Sequence, residues 1–238
     1  LSGDCLEIER PLTAAEVLTL EIMVRLEARY GVQQWHTRLD PLDELIACIL
    51  SQHTSDVNSL RAFAQLKDHY PTWETAAQAP VEDLADSIRC GGLAESKAPR
   101  IQNVLRTIET EHGRMDLDFL YALPDAEARA YLMSLPGVGP KTAAIVLCFA
   151  MGRPVLPVDT HVFRVAWRIG LIEKRIGEAR AHDALQAQIV PEMAYRFHVA
   201  LITHGRQTCK ALAPRCTDCP LAIDLCRYYA EQAASETD

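Results

Sequence analysis

Apolar residues recur at helical spacing along almost the whole chain, interrupted by charge every few positions. Thr13-Ala14-Ala15-Glu16 has the form of a capping box, opening a helix with Val17, Leu20 and Val24 on one face and an end near Gly31. Asp40 followed by Pro41 makes the N-cap and first-position pair of a second helix, with Leu42, Leu45, Ile46 and Ile49 facing inward. Pro, Gly and capping residues bound further predicted helices at about 56–69, 81–89, 97–111, 125–134, 141–151, 160–169, 178–189 and 192–204. No convincing period-2 run stands out. The pattern predicts an all-α fold with short connections and neither a low-complexity linker nor a solenoid-length repeat.

With 238 residues the chain can build one large or two modest cores. Its longest apolar runs, 45–50 and 143–151, fall short of the roughly 18 residues that a membrane span needs, so no membrane association is expected. No charged, apolar, small-residue leader is visible, and an intracellular protein is the expectation. Of the eight cysteines, Cys5, Cys48, Cys90 and Cys148 lie far apart, whereas the other four fall within 18 residues, which reads as metal ligation rather than a disulfide framework. The net charge of −8 argues against nucleic acid only as a sum. Residues 137–175 carry six bases against two acids and 195–215 carry four bases and no acid, while 1–60 carry ten acids and four bases. Basic faces on an acidic body are compatible with DNA.

Three groups of residues carry candidate chemistry. In Leu135-Pro136-Gly137-Val138-Gly139-Pro140-Lys141-Thr142, a glycine turn joins two helices. Gly137 and Gly139 can adopt positive φ and leave backbone amides bare, and the second helix directs its positive end there, so the hairpin can hold a phosphate or serve as a plain turn. Lys141, in the first turn of that helix, sits where the helix dipole disfavours an ammonium and favours a nucleophilic amine, or it is a solvated or phosphate-pairing cation. Asp159 follows 18 residues later in Pro157-Val158-Asp159-Thr160-His161, either as a partner of that amine or as the N-cap of the next helix. Last, Cys209, Cys216, Cys219 and Cys226 can close around a [4Fe-4S] cluster or one zinc ion.

Taken in order, LPGVG-x-KTA, VDTHVFR, HGR-x-x-C and the cysteine loop resemble the endonuclease III family of DNA glycosylases, the helix-hairpin-helix, Gly/Pro-rich-loop, Asp superfamily with an iron-sulfur loop. The resemblance runs from about Leu39 to Tyr228, and includes Ile49 to Asp56 and Gly92-Leu93 with Glu95-Ser96-Lys97-Ala98. It implies two helical domains with a cleft between them: a six-helix barrel over 35–153 carrying the hairpin, and a second domain of 1–34 with 154–238 carrying the cluster. It implies a base-excision-repair enzyme that is both glycosylase and abasic-site lyase, acting on oxidised pyrimidines in duplex DNA. Lys141 would attack C1′, form a Schiff base and cut by β-elimination, and Asp159 would activate it or stabilise charge on the sugar.

By the same resemblance, Gln52, His53 and Leu93 would fill the space left by an extruded base, Gly137, Val138 and Gly139 would grip the backbone, and Arg206 and Lys210 would contact phosphates. Cys209, Cys216, Cys219 and Cys226 would hold a [4Fe-4S] cluster. The expected partner is duplex DNA with a damaged base or abasic site, the expected state a monomer, and the expected place the cytoplasm, at the nucleoid. His53, Ala94 and Met133 stand where relatives often carry Gln, Tyr and Glu, and the last cysteine spacing is one residue longer than the usual x5; the first three bear on substrate range. Two other readings share the motifs: a scaffold that binds lesions with little catalysis, and a glycosylase for mismatched thymine or uracil.

Overall fold

The computed structural model describes residues 10–235, so Cys5 lies outside the described residues. The helices are α1 (Ala14–Tyr30), α2 (Pro41–Ser51), α3 (Asp56–His69), α4 (Trp73–Gln78), α5 (Val81–Ser87), α6 (Ala94–His112), α7 (Asp125–Ser134), α8 (Pro140–Ile145), α9 (Thr160–Ile169), α10 (Gly177–Gln186), α11 (Ala194–Gln207), α12 (Ala222–Leu225) and α13 (Arg227–Ser235). There is no strand among the described residues. Two compact units result, one of Gln34–Val158 and one of Leu1–Gln33 with Asp159–Asp238.

In the unit of residues 34–158, α2 packs against α3 and α8, and α6 against α4 and α5. Leu45, Ile46, Ile49 and Leu50 of α2 meet Leu66, Leu84, Ile101, Leu105 and Leu132 in one continuous buried cluster. The inward face expected for α2 is present, although Asp40 caps it without a side-chain hydrogen bond. Past Ile145 the chain widens into a π-turn over Val146–Ala150, buried apart from Phe149. Cys148 is fully buried there, and desolvation pushes its thiol up to about 12, an inert packing group.

In the other unit, α11 packs against both α1 and α9. The capping box at Thr13 is formed as expected. The apolar face of α1 is not the expected one, however: Val17 and Val24 are 51% and 58% exposed, and the buried residues are Glu16, Thr19, Ile22, Met23, Leu26 and Glu27. Two of the buried polar members, Thr19 and Glu27, have partners distant in sequence, while Glu16 is held by Arg10 and Thr13. Thr19 donates to the Gln188 carbonyl at 2.9 Å and Glu27 receives Arg196 at 2.6 Å, which lets the helix turn its valines outward.

Other boundaries shift for local reasons. α4 has no counterpart in the periodicity because six residues span under two turns; Thr72 caps it and Trp73 buries its ring. α6 starts at Ala94 rather than 97, because Leu93 takes a left-handed conformation and its carbonyl accepts from Ser96 and Lys97. α10 stops at Gln186, α11 runs on to Gln207, and α12 and α13 lie in the cysteine-rich end that showed no period.

Candidate active site and DNA interface

The hairpin joins α7 to α8. Leu135 and Val138 are buried and pin it to the core, and the Val138 amide donates to the Leu135 carbonyl at 3.1 Å. Gly137 takes φ +75°. The expectation of positive φ at Gly139 does not hold: its φ is −100°, extended, because it is the N-cap before Pro140. A Cβ on Gly139 would meet nothing within 4 Å, so the protein itself does not require glycine here. This N-terminus has no side-chain cap, which leaves first-turn amides free to take an external anion. Lys141 follows at the second helical position and is exposed.

Two further loops carry expected contact residues, and both are strained. His53 and Leu93 are non-glycine residues at φ 55° and 54°, conformations that cost about 1–2 kcal/mol each. Leu93 is 57% exposed, and His53 is exposed too. An exposed leucine held at positive φ contributes nothing to the core, and such strain clusters at functional sites. Ala94, beside it, is buried, whereas Met133 is 40% exposed.

Gln52 is tied in by a residue that the sequence did not single out. Arg100 donates from Nη1 to Gln52 Oε1 at 2.7 Å, Gln52 Nε2 donates to the Gly137 carbonyl at 3.4 Å, and the Arg100 chain lies over Gly137, 2.5 Å from where a Cβ would sit. Arg100 therefore links the Gln52 loop to the hairpin. Lys97, one turn earlier, is only 2% exposed and donates to the Leu50 carbonyl at 2.7 Å and the Gly91 carbonyl at 3.0 Å. Burial, reinforced by the nearby Arg100 charge, pulls its ammonium below the usual lysine range. Neither role shows as a local motif, since the partners Leu50 and Gln52 lie 47 and 48 residues away.

Asp159 opens the other unit. Its Oδ1 accepts from the Val162 amide at 2.7 Å, so it does cap α9, and it is buried. His161 is a partly buried packing residue: desolvation lowers its pKa, and its Nδ1 meets Arg164 at 3.0 Å.

In this same unit Cys209, Cys216, Cys219 and Cys226 line one pocket together with Arg168, His204 and Tyr228. Among the described residues no three His, Cys, Asp or Glu side chains converge as they would on a single metal ion. Four thiols around a shared pocket can hold a polynuclear group, in which each metal takes one thiolate, or one tetrahedral ion. The polar neighbours also fit an anionic group. Arg168 is buried with no carboxylate partner among the described residues; it donates to Cys209 Sγ at 3.3 Å and to the Lys210 and Ala211 carbonyls, and its Nε has no hydrogen-bond partner. His204 Nε2 lies 3.6 Å from Cys219 Sγ, and its Nδ1 is 2.9 Å from the Tyr30 hydroxyl. Burial pushes His204 down to about 4, so it is neutral and can donate through Nε2. Burial likewise raises Cys219 to about 11, and a cluster would have to displace that proton. Arg206 and Lys210 are exposed beside this loop.

The family model of the HhH-GPD superfamily base excision DNA repair proteins matches residues 46–190. Endonuclease III of Escherichia coli is 38% identical over 215 residues, covering 88% of this chain and 94% of that protein. The chain belongs to the endonuclease III family. An Arabidopsis thaliana protein assigned as a DNA glycosylase is 38% identical over 189 residues, and there the chain spans 64% of the relative's length. Among solved structures, a trapped endonuclease III–DNA covalent intermediate superposes with a TM-score of 0.76 at 30% identity, covering 90% of this chain and 96% of that one. Endonuclease III membership accounts for the all-α architecture. Among the described residues no helix is long and apolar enough to cross a membrane.

Proposed function

We propose that this chain is a DNA glycosylase and abasic-site lyase of base excision repair that removes oxidised pyrimidines from duplex DNA through a Schiff base on Lys141. The observation that carries the reading is the placement of Lys141, exposed at the second position of α8, directly after a hairpin whose N-terminal amides have no side-chain cap. Those amides hold a backbone phosphate, and the amine one residue on is brought to the adjoining sugar. As the glycosidic bond breaks, the base leaves with a proton and C1′ gains oxocarbenium character; the free Nζ amine bonds to C1′. Sugar ring opening gives the iminium. Loss of a C2′ proton then expels the 3′ phosphate by β-elimination, and water releases the amine.

Asp159, whose Oδ1 is held by the Val162 amide at the start of α9, stabilises the positive charge that develops on the sugar. Gln52, His53 and Leu93 enter the space vacated by the base, Gly137 to Gly139 hold the strand, and Arg206 and Lys210 bind phosphates. Cys209, Cys216, Cys219 and Cys226 would hold a [4Fe-4S] cluster, which supplies structure and a charged, DNA-positioning loop.

Product analysis on duplexes carrying thymine glycol, dihydrouracil, uracil or thymine opposite guanine tests the substrate range. Release of the two oxidised bases with strand cleavage is expected. Excision confined to uracil or mismatched thymine would contradict it.

A further inference from the structure

We propose that Lys97 is a positioning residue for base extrusion, a buried ammonium that locks the His53 loop and the Leu93 loop to each other. This inference rests on the reading of those two loops as the elements that enter the base stack.

The last carbonyls of a helix have no partner within it and must find one elsewhere. α2 ends at Ser51, and the Leu50 carbonyl is one of these groups; Gly91 closes the 3-10 turn Arg89–Gly91 that leads to Leu93. Lys97 Nζ serves both, at 2.7 and 3.0 Å. Three residues beyond Leu50 the chain reaches His53, and two beyond Gly91 it reaches Leu93, the two positive-φ positions of this unit that are not glycine. A cation is favoured at helix C-terminal ends, which offsets the burial of an ammonium bonded to two backbone carbonyls. A buried charge is a costly way to join two backbones if only packing is wanted, since an apolar side chain would fill the same space. What the ammonium adds is direction: two fixed bonds that hold two strained loops at one spacing. A pair of wedges loses its purchase on the duplex if either can yield when the base resists.

The test compares Lys97→Met, Leu93→Ala and the double variant in the full chain. Extrusion is read as 2-aminopurine fluorescence in a duplex whose probe neighbours a tetrahydrofuran abasic-site analogue. Borohydride trapping is measured in parallel on single-stranded abasic DNA, where no base has to leave a stack. Lys97→Met is expected to weaken extrusion about tenfold, the size expected for two lost hydrogen bonds, to trap single-stranded abasic DNA as the parent does, and to add nothing in the Leu93→Ala background. Equal losses on both substrates, or a full additional loss in the double variant, would mean a general folding role and overturn the proposal. Unchanged extrusion in Lys97→Met with a loss in Leu93→Ala overturns the role of Lys97 alone. Unchanged extrusion in Leu93→Ala overturns the wedge reading beneath it. Should Lys97→Met not fold, Lys97→Gln, which can reach only one of the two carbonyls, carries the same comparison with a smaller expected loss.

Discussion

The two hairpin glycines separate conformation from contact. Gly137 sits at φ +75° beneath the Arg100 side chain, so Gly137→Ala forces a left-handed alanine and displaces Arg100. It should lower stability by about 1–2 kcal/mol and weaken DNA binding as well. Gly139 is extended with open space where its Cβ would go, so Gly139→Ala should leave the thermal midpoint unchanged. If a DNA phosphate approaches that bare backbone, the same variant weakens duplex binding; thermal melting beside a binding titration checks both. Wild-type affinity in Gly139→Ala would remove Gly139 from the interface. At this scale much of the candidate site could be read locally, because the hairpin, Lys141, Asp159 and the cysteines are each local motifs. Lys97 and Arg100 could not, since an interior lysine looks like any surface lysine until Leu50 and Gly91 are seen to close over it.

Helix α1 shows what an element's own sequence determines and what it does not. Its start was legible because Thr13 and Glu16 bond to each other within one turn. Its buried face was not, because Glu16, Thr19 and Glu27 go inward only with Arg10, Gln188 and Arg196 in place. The capping carboxylate makes a titratable prediction. The hydrogen bond from Arg10, then that from Thr13, hold Glu16 at about 2 against an ordinary 4.5. The folded chain therefore keeps this charge to lower pH than the unfolded chain, and the stabilisation is complete above pH 4.5 and disappears as pH falls through about 2. Thermal midpoints of wild type and Glu16→Gln should differ at neutral pH and converge under acid; a constant difference would contradict the pairing. α4 and the boundaries of α6 and α11 show the same division, since their limits follow from a left-handed Leu93 and from tertiary contacts more than from period.

For the whole molecule, a net charge of −8 has to be reconciled with a polyanionic partner. DNA affinity then comes from local cations against a repulsive background, so it should fall steeply as salt rises. Lys210→Ala should reduce the slope of log affinity against log salt by about 0.9, the contribution of one phosphate contact; an unchanged slope would take Lys210 out of the interface. The cysteine loop belongs to this scale as well, because Arg168 and His204 reach it from α9 and α11. Purified protein is expected to contain equal iron and acid-labile sulfide and no zinc, and one zinc per chain would contradict the cluster.

The central claim is that Lys141 bonds covalently to the sugar. Borohydride added to the protein with a duplex containing an abasic site should yield a stable protein–DNA adduct whose modified peptide contains Lys141, and Lys141→Ala should yield none while still binding the duplex. An adduct of undiminished yield in Lys141→Ala, or one mapped to another amine, would contradict the account.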